Sequence, residues 1–241
     1  MPPPLSDQVA LVTGASRGIG RSIATSLAAC GAHVFAPART TKALDELVDE
    51  ITENGGQATS VTTDVGDEAD VAALFAAIRD TAGQLDILVN NAGVGVFQPL
   101  ADTRVEDLDR IFAVNVRGTF LCSQQALALM VPRRQGYIIN IGSVVSFKGY
   151  PEQAAYTASK HAQCGLTKSR AAEAQAHSIR VSAILPGGVD TDLIGQARPD
   201  LDRSGLMQPE DIAQSVLYLL SLSDRAAVDE IYIRRKSGTP F

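Results

Sequence analysis

The sequence predicts a doubly wound α/β fold, a parallel sheet of about seven strands with helices on both faces. Three observations predict it. Apolar, β-branched runs of strand length alternate with amphipathic stretches of helix length along the whole chain. The strand runs are almost continuously apolar, as strands covered on both faces must be. The first run also leads through a glycine-rich turn straight into the first helix, the arrangement that receives phosphate groups in such sheets.

The elements follow in order. "QVALVTG" is the first strand, and "GIGRSIATSLAACG" the first helix, with Ile19, Ile23 and Leu27 on one stripe and Gly31 as its stop. "HVFAPA" is strand two. "TKALDELVDEITENGG" is amphipathic through Leu44, Leu47, Val48 and Ile51 and ends in a glycine pair. "ATSVTTDV" and "DEADVAALFAAIRDTAG" give strand three and its helix; "LDILVNNAG" gives strand four. One long helix is expected over roughly 105–131. "GYIINIGS" is strand five, "QAAYTASKHAQCGLTKSRAAEA" a helix, "IRVSAILPGG" strand six and "PEDIAQSVLYLLS" a helix. "DEIYIRR" gives a short last strand.

No Pro/Gly/Ser-rich linker divides the 241 residues, so residues 1–241 read as a single domain. The chain is 45% hydrophobic and 20% charged, which suffices for a sizeable core. A net charge of −6 argues against a general nucleic-acid or anionic-membrane binder. The start "MPPPLSDQ" lacks a targeting signal, and no run reaches the ~18 apolar residues of a membrane helix. Cys30, Cys122 and Cys164 are scattered and odd in number, and the three histidines form no cluster. The expectation is a cytoplasmic protein with reduced thiols, no metal, no nucleic acid and no membrane partner.

Ligands of such sheets bind beyond the carboxyl ends of the strands. Strand one leaves into "TGASRGIG", where Gly14, Gly18 and Gly20 open space for a pyrophosphate at the helix start. Strand two leaves into Ala38 and Arg39, where a dinucleotide site usually carries an acid for the ribose 2′-hydroxyl. Arg39, with Arg17 from the other side, instead suits a 2′-phosphate, so NADP(H) is expected in preference to NAD(H). Arg39 alone also reads as a solvated surface charge. Asp64 reads equally as an acceptor for an adenine amino group beside Val65 and as part of the next helix cap. "NNAG", Asn90–Gly93, permits close approach of a ribose or makes a turn. Strand five leaves into Ser143. Tyr156 and Lys160 stand four apart on one helix face, ~6 Å along the axis. Strand six leaves into "PGGVDT", with Pro186, Gly187 and Thr191.

These motifs together resemble the short-chain dehydrogenase/reductase family in its single-domain form. TGxxxGxG at 13–20, Asp64–Val65, NNAG at 90–93, Asn115, Ser143, YxxxK at 156–160 and PGGVDT at 186–191 occur in the family's order. The resemblance implies a Rossmann fold, a nicotinamide cofactor and catalytic Asn115, Ser143, Tyr156 and Lys160. It implies cofactor contacts from Gly14, Ser16, Arg17, Gly18, Ile19, Gly20, Arg39, Asp64, Val65, Asn91, Ala92, Gly93, Tyr156, Lys160, Pro186, Gly187, Val189 and Thr191. Tyr156 is expected to transfer a proton, helped by Lys160, whose ammonium lowers the cost of a phenolate. Ser143 is expected to polarise the carbonyl, and Asn115 to hold a relay water. Val94, Gly95, Phe97, Val145, Tyr150 and Leu193 are the expected substrate pocket, apolar enough to suit a hydrophobic ketone or secondary alcohol.

The leading expectation is an NADPH-dependent carbonyl reductase or alcohol dehydrogenase. The alternatives are a 3-oxoacyl-(acyl carrier protein) reductase, docking its carrier on Arg104, Arg117, Arg133 and Arg134, and a dinucleotide-binding regulator without catalysis. The resemblance further implies a homo-oligomer, a tetramer or dimer, built on the helices at 105–131 and 156–176. Two departures stand out. The tail "DEIYIRRKSGTPF" lacks the family's usual ending, which leaves its part in the substrate wall open. The 186–209 segment is short for a lid, so an open or mobile pocket is expected.

Overall fold

The computed structural model describes residues 4–238; the first three and last three residues lie outside the described set. Seven strands form one sheet in the order β3-β2-β1-β4-β5-β6-β7. They are β1 Val9–Val12, β2 His33–Ala38, β3 Gln57–Thr62, β4 Ile87–Asn90, β5 Gly136–Ile141, β6 Ile179–Pro186 and β7 Glu230–Ile233. Every pairing is parallel. The direction of winding reverses between β1 and β4, so the carboxyl ends of these two strands border the binding crevice.

The period-two alternation of each strand feeds two cores. Ala10 and Val12 of β1 face one side with Val34, Ile87, Val89 and Ile139; Leu11 faces the other with Phe35, Leu88 and Ile138. The first face is covered by α1 (Gly18–Ala29), α2 (Thr41–Glu53) and α8 (Pro209–Ser221), through residues such as Leu27, Leu47 and Val216. The second is covered by α3 (Glu68–Ala82), α5 (Thr119–Met130) and α6 (Ala154–Gln175), through Phe75, Met130 and Ala174. Among the described residues no helix is long and apolar enough to cross a membrane.

Two segments differ from the sequence expectation. The helix expected over 105–131 is α4 (Val105–Phe112), a π-helical turn (Ala113–Gly118) and α5. The wider turn accommodates Asn115, whose side chain leaves the helix to bond the backbone of Val94. The 186–209 segment folds as the short helix α7 (Asp192–Ala197) with a helical turn at Arg203–Gly205, and Val189 bridges Met207. Ion pairs Arg17–Asp192 and Arg203–Asp190 fasten it. It is a folded wall rather than an open edge.

Candidate active site

The glycine-rich turn is built by contact with the β4 exit. Thr13 Oγ1 accepts from the Asn91 and Ala92 amides, both at 3.0 Å. The Asn91 amide group donates to the carbonyls of Thr13 and Gly14 at 2.9 and 3.2 Å. Gly14 has φ +66°, and a Cβ there would lie 2.9 Å from Ala92 Cα. A Cβ on Gly20 would lie 2.4 Å from the Gly14 carbonyl oxygen. α1 begins with no side-chain cap, since Arg17 occupies the cap position, so its first amides face the crevice. Ser16, Ile19 and Gly18 complete the turn, and Thr191 lies against Gly18. Uncapped amides and a cradle that a side chain would fill fit a dinucleotide's phosphates.

Arg39 is exposed after β2 and has no acidic partner among the described residues. Arg17 is instead paired with Asp192 at 2.7 Å, in an ion pair exposed on both sides. Asp64 accepts from the Gly66 amide at 2.8 Å and is not the helix cap; that is Asp67, which accepts from Ala69 and Asp70. Val65 is buried beside Gly118. The adjacent asparagines divide their work, Asn91 holding the glycine turn and Asn90 donating to Ser123 Oγ and Asn140 Oδ1 in the core.

Ser143, Tyr156 and Lys160 come together at the β5 exit. Ser143 starts a single helical turn (Val144–Ser146), and its hydroxyl bonds the Tyr156 phenol. Tyr156 is buried, with Phe97 edge-on at 5.6 Å between ring centroids. Burial pushes its pKa up to about 12, and the Ser143 contact only partly opposes this. Lys160 is also buried and is pulled down to about 8 for the same reason. Its Nζ lies 5.9 Å from the Tyr156 ring centroid and donates to the Ile141 carbonyl (2.9 Å) and to Gln163 Oε1 (3.0 Å). The expected lowering of the tyrosine by Lys160 is therefore not found. Desolvation of the phenolate dominates, and the ammonium is turned toward other acceptors. The phenol is held as a neutral donor.

Gln163 escaped the sequence reading. In an Ala-rich helix a glutamine reads as solvated, yet this one is 1% exposed. It accepts from Lys160 and donates to Thr119 Oγ1 at 3.0 Å. Thr119 donates to the Asn115 carbonyl at 2.9 Å, and Asn115 Nδ2 donates to Ser159 Oγ at 3.0 Å. Lys160 and the π-turn asparagine are thus joined by a buried polar chain. A Cβ on Gly93 would lie 3.6 Å from Asn115 Oδ1 and 3.8 Å from Lys160 Nζ, so the NNAG exit covers both.

A cavity of about 400 Å³ opens over Ser143 and Tyr156. Phe97, Val145, Tyr150 and Leu193 line it, with Pro186, Gly187, Val189, Thr191 and Ile19. Val94 and Gly95 do not. Val94 is pinned by Asn115 and packs toward the core, and Gly95 is shielded by the Phe97 ring, 2.6 Å from where a Cβ would stand. The α7 segment adds Ile194, Ala197 and Leu201, and the tail adds Tyr232, Arg234 and Arg235. The described part of the atypical tail, up to Gly238, therefore belongs to the pocket wall; residues 239–241 lie outside the described residues.

Comparison with known proteins gives the chain's family and fold relatives. Residues 8–202 match the family described as short chain dehydrogenase. A 3-oxoacyl-[acyl-carrier-protein] reductase of Synechocystis is 39% identical over 221 residues, covering 89% of this chain and 90% of that protein. A metagenomic short-chain oxidoreductase solved in complex with NADP superposes with TM-score 0.86 at 35% identity, over 98% of this chain and 100% of the other. An alcohol dehydrogenase of Thermococcus sibiricus, complexed with 5-hydroxy-NADP, gives 0.90 at 29% identity, over 97% and 99%.

Proposed function

The chain belongs to the short-chain dehydrogenase family of oxidoreductases, and from that premise we propose an NADP(H)-dependent carbonyl reductase or alcohol dehydrogenase acting on a ketone or secondary alcohol. One observation carries the reading: a buried tyrosine hydroxyl, bonded to Ser143 and with the Lys160 ammonium 5.9 Å from its ring, faces a cavity that reaches Ile19 at the start of α1 and Thr191. The whole of 1–241 is read as one cofactor-binding and catalytic unit.

The first turn of α1 with Gly14, Ser16, Arg17, Gly18, Ile19 and Gly20 would hold the pyrophosphate. Asp64 and Val65 would hold the adenine, and Asn91, Ala92, Gly93, Tyr156 and Lys160 the nicotinamide ribose. Pro186, Gly187, Val189 and Thr191 would hold the nicotinamide end. The bound nicotinamide supplies or takes the hydride. Tyr156, neutral at ordinary pH, donates its proton to the carbonyl oxygen, the role its raised pKa suits. The Ser143 hydroxyl donates to the same oxygen and stabilises its developing charge. The Lys160 ammonium, stable below about pH 8, restores the proton, with Asn115 and Gln163 fixing its surroundings. In the reverse reaction, oxidation of an alcohol, Tyr156 would act as the base.

The absence of an acid after β2 and an Arg39 with no acidic partner among the described residues support NADP(H) over NAD(H), and Arg17 would leave its exposed pair with Asp192 to join it. A neighbour that binds NADP supports it further. Exposed Phe120 and Leu108, beside a groove with Phe112, Val116 and Leu166, support a homo-oligomer through the α4–α6 surface. The Synechocystis relative favours 3-oxoacyl-carrier reduction as a second reading. Its docking arginines are partly committed, since Arg104 pairs with Asp107 and Arg133 with Asp86. A panel of carbonyls and alcohols, free and carrier-linked, assayed with NADPH and NADH tests all of this. Preference for NADH sinks the arginine assignment, and carrier-linked substrate reduced far faster than free ketones decides for the second reading.

A further inference from the structure

The cavity has a mixed lining. Phe97, which packs edge-on to Tyr156, Val145, Leu193 and Leu206 are apolar, whereas Lys148 and, from the tail, Arg234 and Arg235 bring positive charge, with Arg198 from the α7 segment. Among the described residues no Asp or Glu lines the cavity. The nearby carboxylates are engaged elsewhere. Asp200 holds Arg198 in a two-pronged pair, Asp190 holds Arg203, and Asp192 holds Arg17. Arg198 is thereby neutralised. Lys148, Arg234 and Arg235 have no carboxylate partner among the described residues.

Two of these cations are held in place without being neutralised. Lys148 Nζ lies 5.8 Å from the Phe147 ring centroid and 6.0 Å from that of Tyr232, two rings packed edge to face at 5.2 Å. Arg234 Nη1 donates to the carbonyls of Arg235, Lys236 and Gly238, ordering the turn that carries Arg235. Partly buried cations without a carboxylate partner among the described residues leave donors that an anionic ligand can pair through charge-assisted hydrogen bonds.

The cofactor's 2′-phosphate does not account for them. Arg234 and Arg235 follow β7, whereas the 2′-phosphate position by Arg39 follows β2. Those strands are five places apart in the sheet, roughly 24 Å at ~4.8 Å per strand.

We propose that the cavity selects carbonyl substrates with an apolar body and an anionic end, an oxo acid or its like, bound by Lys148, Arg234 and Arg235. This rests on the reductase reading above and supplies the charge that the apolar sequence positions did not reveal. The test is a matched series of free oxo acids of increasing chain length and their methyl esters, reduced with NADPH by the wild-type protein and by Lys148→Ala, Arg235→Ala and Arg235→Glu. The acid at the best length is expected to exceed its ester about tenfold or more in kcat/KM, the scale of one charge-assisted contact. The acid-to-ester ratio should fall toward one in both alanine variants, invert in Arg235→Glu, and shrink with added salt. Esters reduced as well as acids throughout the series, or a ratio untouched by all three variants, overturns the inference and leaves the reductase intact. Reduction of neither acid nor ester by a protein that reduces other ketones overturns this inference alone; reduction of no carbonyl of the wider panel, with either cofactor, defeats the reductase reading and this inference with it.

Discussion

Replacing Gln163 by leucine isolates the control of Lys160. In the folded chain Lys160 Nζ has two acceptors, the Ile141 carbonyl and Gln163 Oε1. Burial already draws its pKa from the ordinary 10.5 down to about 8. Leucine has a similar volume and removes one acceptor from the charged form. A hydrogen bond to a charged group contributes about 1.5–3 kcal/mol, and 1.36 kcal/mol corresponds to one pKa unit. The lysine should therefore fall by a further ~1–2 units. The ammonium exists below its pKa, so reduction is lost as pH rises through it. The assay is kcat for ketone reduction by NADPH against pH, with a melting curve for each variant. The wild-type alkaline limb is expected near pH 8, and the Gln163→Leu limb about 1–2 units lower. Gln163→Glu, which offers a charged acceptor, should move the limb upward. A limb that stays in place in both folded variants refutes the reasoning; a lowered melting point alone does not support it.

The other predictions concern the remaining supports of the site. Arg39→Ala should lower the NADPH-over-NADH ratio of kcat/KM about tenfold or more, the loss of one charge-assisted phosphate contact, read in parallel steady-state assays. Gly20→Ala places a methyl 2.4 Å from the Gly14 carbonyl oxygen and should raise the Kd for NADPH at least about tenfold in a fluorescence titration. Asp86, 5% exposed, accepts from the Val9 amide, Gln84 and Arg133. Asp86→Ala should cost roughly 2–4 kcal/mol of stability in urea titration, because it orphans a buried amide and a half-buried guanidinium.

Much of this arrangement was legible in the sequence because local signals and tertiary needs coincide. β2, β5 and α8 fall on the residues their apolar runs marked, and Gly31, Gly55 and Gly83, all at positive φ, end helices where expected. The strand-exit motifs converge because parallel strands present all their carboxyl ends to one edge. What stayed hidden depends on contacts between distant segments. α7 is six residues long and is held by Asp192 to Arg17 and by the Val189–Met207 bridge, neither of which leaves a local pattern. The π turn at Asn115 changes the helical phase without changing composition. Gln163 is buried only because α5 and α6 meet around Thr119. Arg234 and Arg235 reach the pocket only because β7 pairs with β6, bringing Arg234 beside Gly187.

The central claim is that Tyr156 delivers the proton during hydride transfer. The direct measurement compares ketone-dependent NADPH oxidation by the wild-type protein and by Tyr156→Phe, with NADPH affinity determined for both. Loss of a positioned acid costs roughly 10²–10⁴-fold. The account predicts a fall of that size in kcat, with NADPH still bound. A Tyr156→Phe protein that binds NADPH and turns over within a few-fold of wild type would contradict it.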